Sequence, residues 1–193
     1  RCVCSRLPTK AGSIVACTNK PAGKNKSRYD KGTNKNRQRI IMGNEDLKIK
    51  ITGLLAAASF DETSEWLNIS IEPKDWLQLA QQLRNEGSLQ FDYLFCLTCI
   101  DYKDNLTMVY HLTSTIFRHN IVIKSVLDIE HPKIETVSHI WKTAEFHERE
   151  VYEMFGVDFL NHPDLRLLIL PDGWEGKNPM RKDFEDSVNM IKL

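Results

Sequence analysis

Cys96-Leu-Thr-Cys99 has the spacing of a metal-binding or redox pair, so chemistry is sought there first. The surrounding run Phe91-Asp-Tyr-Leu-Phe-Cys-Leu-Thr-Cys-Ile100 reads as a strand, which would point residues three apart to opposite faces. A zinc site would need a second pair, and a redox pair usually opens a helix. Two thiols packed as small hydrophobes is the better reading. His131, His139 and His147 recur at intervals of eight, which turns each about 80° from the last on a helix. His147-Glu-Arg-Glu-Val lacks the second histidine of a His-Glu-x-x-His metal helix. No serine or cysteine sits in a Gly-x-Ser-x-Gly elbow, and no carboxylate pair is isolated in an apolar run.

The charged chemistry that stands out lies in Ala144-Glu-Phe-His-Glu-Arg-Glu-Val-Tyr-Glu-Met-Phe-Gly156. Glu145, Arg149 and Glu153 fall at i, i+4 and i+8, a ladder in which one arginine can sit between two carboxylates. Glu148 falls on the apolar stripe of Trp141, Ala144, Val151 and Phe155, where a carboxylate is costly without a partner. That partner is either internal, such as Arg166, Arg181 or Lys182, or supplied by another chain. Further on, His162-Pro-Asp-Leu-Arg166, Pro171-Asp-Gly-Trp-Glu-Gly176 and Pro179-Met-Arg-Lys-Asp-Phe184 mix stiff turns with Trp, Arg and Phe anchors. Such residues suit a permanent interface, or a tail wrapped on its own domain.

These residues need elements to position them. Leu47-Lys-Ile-Lys-Ile51 and Trp66-Leu-Asn-Ile-Ser-Ile71 alternate apolar and polar residues, as strands do. Pro73 opens a helix with Trp76, Leu79, Ala80 and Leu83 on one face and a stop near Gly87. Phe91–Ile100 predicts a central strand covered on both faces, followed by a hairpin strand Leu106–Leu112 and a third strand Ile121–Ile129. His131-Pro132 begins a long helical pattern, with Ile134, Val137, Trp141, Ala144, Val151 and Phe155, that Gly156 closes. The expected fold is an α+β two-layer sandwich: a mixed, mostly antiparallel sheet with helices on one face, and a long irregular C-terminal tail. The domain spans 42–160 and the tail 161–193.

The 193 residues are 41% hydrophobic and 27% charged, with no apolar run long enough to span a bilayer. Five cysteines over this length argue against a secreted disulfide scaffold. The formal net charge of zero hides a division. Residues 1–41 hold 11 of the 26 basic residues and one of the 26 acidic ones, Asp30. The remainder is therefore acidic, which disfavours nucleic acid as a partner. Residues 1–41 read as a disordered basic extension. A transit peptide or a nucleic-acid tail would share that composition, but Met42 opens the patterned part so abruptly that it reads as the initiator. Cys2-Val-Cys4 has no matching second pair, so it makes a poor metal site.

Glu148-Arg-Glu150, Glu153-Met-Phe155, His162 and Arg166-Leu-Leu-Ile169 resemble the signature of the 30 kDa-type subunit of respiratory complex I, the NADH-quinone oxidoreductase. Leu170-Pro-Asp-Gly-Trp-Glu-Gly, Pro179-Met-Arg-Lys-Asp-Phe184 and Phe91-Asp-Tyr…Asp101-Tyr extend the likeness over roughly 60–184. Leu167 departs from it, standing where many members have a second arginine, and Lys177-Asn178 lengthens the loop before Pro179. The resemblance implies a peripheral-arm subunit without a cofactor of its own, in a complex using iron–sulfur clusters, a quinone, FMN and NADH to drive proton translocation. Its partners would be the large subunit of the quinone cavity and the subunit that bears the terminal iron–sulfur cluster. It would meet the membrane only indirectly, on the cytoplasmic face of a bacterial inner membrane or the matrix side of the mitochondrial one. The residues assigned to docking are Glu148, Arg149, Glu150, Glu153, His162, Arg166, Trp174, Arg181, Lys182 and Asp183. Two alternatives stand beside this: a scaffold in a membrane-bound hydrogenase or another quinone-linked dehydrogenase, and an enzyme using Cys96/Cys99 or a His–Glu cluster.

Overall fold

A computed structural model describes residues 43–56, 58–61 and 64–186. The expectations for residues 1–41, including Cys2, Cys4 and Cys17, lie outside them. The elements run α1 (Asn44–Leu54), β1 (Ser59–Asp61), β2 (Leu67–Ile71), a 3-10 turn (Pro73–Asp75), α2 (Trp76–Asn85), β3 (Tyr93–Asp101), β4 (Asn105–Thr113), β5 (Asn120–Asp128), β6 (Lys133–Glu135), α3 (Ala144–Phe155) and β7 (Asp158–Leu160). Five strands form one sheet in the order β1-β2-β5-β4-β3. All its neighbours are antiparallel except β2 and β5, which run parallel with Leu67 opposite Ile121. A second, two-stranded parallel sheet pairs β6 with β7. The α+β sandwich read from the sequence is the fold observed.

One apolar core joins the helices to one face of the large sheet. Trp76 opens α2 and lies at its centre, fully buried, 4.2 Å from the Tyr110 ring and stacked on Trp141 at 6.3 Å between ring centroids. Trp141 Nε1 donates to Phe91 O at 2.9 Å, which ties the approach to α3 to the approach to β3.

Three elements differ from expectation. Residues 47–51 are helical, not extended. Leu47 and Ile51 are one helical turn apart and both buried, while Ile49 between them is 70% exposed. Five alternating residues contain an i, i+4 pair, so both periods fit and the packing decides. β3 is an edge strand, and β5 and β4 are interior. Its outward residues Tyr93 and Ile100 stay exposed, so an unbroken aromatic and apolar run did not signal cover on both faces. The long helix expected from His131 begins only at Ala144. Ile134 is buried in β6 opposite Phe159, and tight turns at Val137–Trp141 and Trp141–Ala144 carry the chain forward. Successive turns bring every third or fourth residue inward much as a helix does.

Gly156 ends α3 in the left-handed region at φ +78°, its N–H bonded to Tyr152 O at 2.9 Å. The tail later returns over this point, and a Cβ on Gly156 would lie 2.6 Å from Asn178 Nδ2. Gly156→Ala is therefore expected to cost about 1–3 kcal/mol through backbone strain and to displace Asn178. Chemical denaturation together with hydrogen exchange of the Met180 amide would check both effects.

Candidate docking site

Helix α3 carries three charged side chains into the interior: Glu148, Arg149 and Glu153. Their partners explain how they can be there. Arg149 donates from Nε to Arg166 O at 3.0 Å and from Nη2 to Leu167 O at 2.7 Å. Its flank lies beside the Phe146 ring at 5.9 Å. Glu153 accepts three consecutive backbone N–H groups, from Leu168 at 2.8 Å, Ile169 at 3.0 Å and Leu170 at 3.2 Å. The expected ladder does not form as ion pairs. Arg149 holds tail carbonyls and Glu153 holds tail amides, so helical spacing matches the spacing of an extended strap instead.

Glu148 is the most enclosed of the three. It accepts the Thr136 hydroxyl and, at 2.9 Å, the Val137 N–H; His162 Nε2 lies 3.7 Å away. Burial outweighs both hydrogen bonds and pushes its carboxyl up to about 7. The partners expected from Arg166, Arg181 or Lys182 are not the ones it meets. Arg166 is largely exposed and pairs with Asp164 at 2.9 Å. Arg181 reaches Ile129 O at 3.2 Å and stands 3.3 Å from Asp183, while Lys182 gives its backbone N–H to Asp101 at 2.8 Å. Glu150 faces solvent, 3.9 Å from His147.

Past residue 160 the described chain has no helix or strand, yet it is held at four places. At its root His162 contacts Glu145 O at 3.1 Å and accepts the Asp164 N–H on Nδ1 at 3.1 Å. Arg149 and Glu153 hold 166–170. Asn178 packs on Gly156, and the Met180 N–H caps Met154 O at 3.1 Å. Asp101 takes the N–H groups of Lys182 and, at 2.7 Å, Lys103. These two bonds, the Lys182 one foremost, keep the Asp101 carboxyl below the usual range. Between the second and third holds, Pro171–Trp174 and Trp174–Lys177 form two successive turns, with Gly173 and Gly176 at positive φ. Lys177 Nζ lies 4.3 Å from the Trp174 ring centroid, which steadies that ring at the tip.

Held from behind, the segment packs Leu165 against the core and turns three other apolar side chains outward. Leu168, Ile169 and Met180 are 41%, 60% and 59% exposed. Sequence reading missed Thr136, Asp101 and Asn178. Asp101 precedes the Lys103-Asp-Asn turn, a position where aspartate commonly accepts a turn amide, so it carried a signal. Thr136 and Asn178 carried none. Cys99 is buried and its thiol is pushed up to about 12, by burial first and Asp101 second; burial and Glu150 raise Cys96. Such thiols are poor nucleophiles. Among the described residues no group of three or more His, Cys, Asp or Glu could hold a metal ion, and no helix is long and apolar enough to cross a membrane.

Fold and site define a class: an α+β domain whose signature helix fastens a long C-terminal segment through buried charges. The model of the respiratory-chain NADH dehydrogenase 30 kDa subunit family matches residues 69–188, and the chain belongs to that family. It is 40% identical over 112 residues to an NADH-quinone oxidoreductase subunit of Chloroherpeton thalassium, covering 57% of this chain and 46% of that protein. It is 43% identical over 108 residues to an F(420)H(2) dehydrogenase subunit of Methanosarcina mazei, covering 54% and 67%. A chain of the archaeal membrane-bound sulfane sulfur reductase has the same fold, with TM-score 0.63 and 25% identity over 73% of this chain and 85% of that one. The match thus spans less than half the length of the Chloroherpeton protein.

Proposed function

We propose that this chain is a peripheral-arm subunit of an NADH-quinone oxidoreductase that holds no redox centre and supports assembly of the quinone-reducing module. The observation carrying this reading is the tail. Two interior charged side chains, Arg149 and Glu153, stiffen a segment whose Leu168 and Ile169 are exposed, and further along the tail Met180 is exposed and Trp174 half-buried. A pre-ordered apolar strap lowers the entropy lost on binding and suits a permanent interface. The docking roles divide accordingly. Glu148, Arg149, Glu153, His162 and Arg181 shape the strap, while Glu150, Arg166, Trp174, Lys182 and Asp183 meet the neighbours. Those neighbours are the large subunit of the quinone cavity and the subunit with the terminal iron–sulfur cluster. The complex supplies the iron–sulfur clusters, quinone, FMN and NADH and couples electron transfer to proton translocation. It lies at the cytoplasmic face of a bacterial inner membrane, or on the matrix side in a mitochondrion.

A second reading keeps the scaffold and changes the electron donor, and the F(420)H(2) dehydrogenase and sulfane sulfur reductase relatives favour it. Copurifying subunits separate the two. The docking test is affinity for the large subunit, measured with the full chain. Ile169→Asp, at a side chain 60% exposed, is expected to weaken binding at least tenfold with melting temperature unchanged. Trp174→Ala, at a half-buried ring, is expected to weaken it at least tenfold with a small loss of melting temperature. Unchanged affinity in both variants would remove the tail from the interface.

A further inference from the structure

The turn between β4 and β5, residues 114–119, is fastened at two places to the stretch that joins α2 to β3. On its inner side His119 is buried, edge-on to Phe91 at 4.8 Å and parallel to Phe117 at 5.9 Å between ring centroids. Its Nε2 lies 2.9 Å from Leu89 O. A carbonyl only accepts, so Nε2 carries the proton, and the neutral ring keeps a bare lone pair on Nδ1. That Nδ1 is buried and meets no hydrogen-bond partner among the described residues. A second ring proton would put a charge and an unmatched donor into a dry site. On the outer side Thr115 donates its N–H, at 2.7 Å, and its hydroxyl to the Asp92 carboxylate.

Charged neighbours set the two fastenings apart. Helix α1 faces the ring with Lys50, whose charge opposes another positive one, while α2 supplies Arg84, which is turned to Asp92 O. Strand β4 adjoins with Thr113, whose hydroxyl reaches His119 O at 3.4 Å, and β5 with Asn120; neither titrates. Burial, with Lys50 adding to it and the Leu89 bond opposing, holds the His119 ring below the usual histidine range. At Asp92 burial pulls the carboxyl up, but the Thr115 bonds prevail and keep it below the usual carboxylate range. We propose that the β4–β5 turn is an acid-operated flap: neutral His119 clamps its inner side, a proton on that ring opens the clamp, and the Asp92–Thr115 contact stays closed as the hinge. Opened, the ring reaches water and takes up a proton that its docked form excludes. Opening is therefore favoured as pH falls below about 6.5 and has no slope above it, where both forms are neutral. Lifting the turn uncovers Leu89 and Phe91, both fully buried when it is closed, so mild acid creates an apolar surface at this end of the sheet. The flap does not depend on docking of the tail.

The test is hydrogen exchange of two adjacent amides in the full chain, corrected for intrinsic rates, from pH 5 to 7.5. Ser114 N–H donates to His119 O at 3.0 Å and reports the clamp; Thr115 N–H reports the hinge. Protection at Ser114 is expected to fall by up to about tenfold per unit below about pH 6.5, while Thr115 changes less than about threefold. His119→Gln keeps a side-chain N–H but does not titrate, so its Ser114 protection should change less than about threefold over the whole span. Nitrogen NMR of the unaltered chain needs no variant: His119 is expected as the neutral Nε2–H tautomer at pH 6. A flat wild-type profile at Ser114, an equal slope in His119→Gln, or an imidazolium at pH 6 would each overturn the clamp. Equal losses at Ser114 and Thr115 would mean that the turn unfolds as a whole, which would overturn the hinge.

Discussion

Glu153→Ala should release residues 166–170 from α3 and lower stability by about 3 kcal/mol. The carboxylate accepts three consecutive N–H groups and is almost entirely buried, so its loss leaves those amides without their acceptor. Hydrogen bonds to a charged acceptor contribute about 1.5–3 kcal/mol each when isolated. Here one carboxylate is shared and the freed amides become partly hydrated, so the sum is smaller than three such bonds. Glu153→Gln keeps one acceptor oxygen and turns an amide NH2 toward donors, so a loss between wild type and alanine is expected. Urea denaturation gives the free energy, and hydrogen exchange at Leu168–Leu170 gives the location. A loss under about 1 kcal/mol, with exchange at those amides unchanged, would show that the tail does not depend on this carboxylate.

The largest loss is expected from Trp76→Ala, about 3–5 kcal/mol. Trp76 is fully buried and contacts Tyr110 on the sheet and Trp141 before α3, so its removal opens a cavity among three elements rather than at a surface. Rings of this size are too rigid to collapse inward, and the void stays largely unfilled. Trp76→Phe keeps most of the volume and should lose less than half as much. Equal losses for Phe and Ala would mean that the indole edge, not its bulk, matters. The same denaturation series decides it.

The parts of the fold legible in sequence were those set by short-range periodicity: α2 behind Pro73, the β3–β4–β5 meander, and the end of α3 at Gly156. Residues 131–143 misled because a short strand that buries Ile134 and two tight turns place apolar side chains at helical intervals. Edge or centre was unreadable for β3, since sheet order depends on β2 pairing parallel to β5 across a long separation. At the site, Glu148 stood out as a carboxylate on an apolar stripe, and that anomaly led to the right helix. Its partners did not follow, because a hydroxyl and a backbone amide leave no complementary charge to search for. The same holds for Glu153 and Arg149. Main-chain groups are present at every residue, so nothing in the side-chain sequence marks which of them a buried charge will choose.

The strap also bears on where the chain can be divided. Cutting after Leu160 looks harmless by secondary structure, yet it would remove every tail group that Arg149 and Glu153 bond to. Those charges would then have to hydrate, and α3 would have to loosen to let water in. Helix and tail therefore form a single cooperative unit, and the shortest piece able to melt in one transition must reach well beyond the last strand.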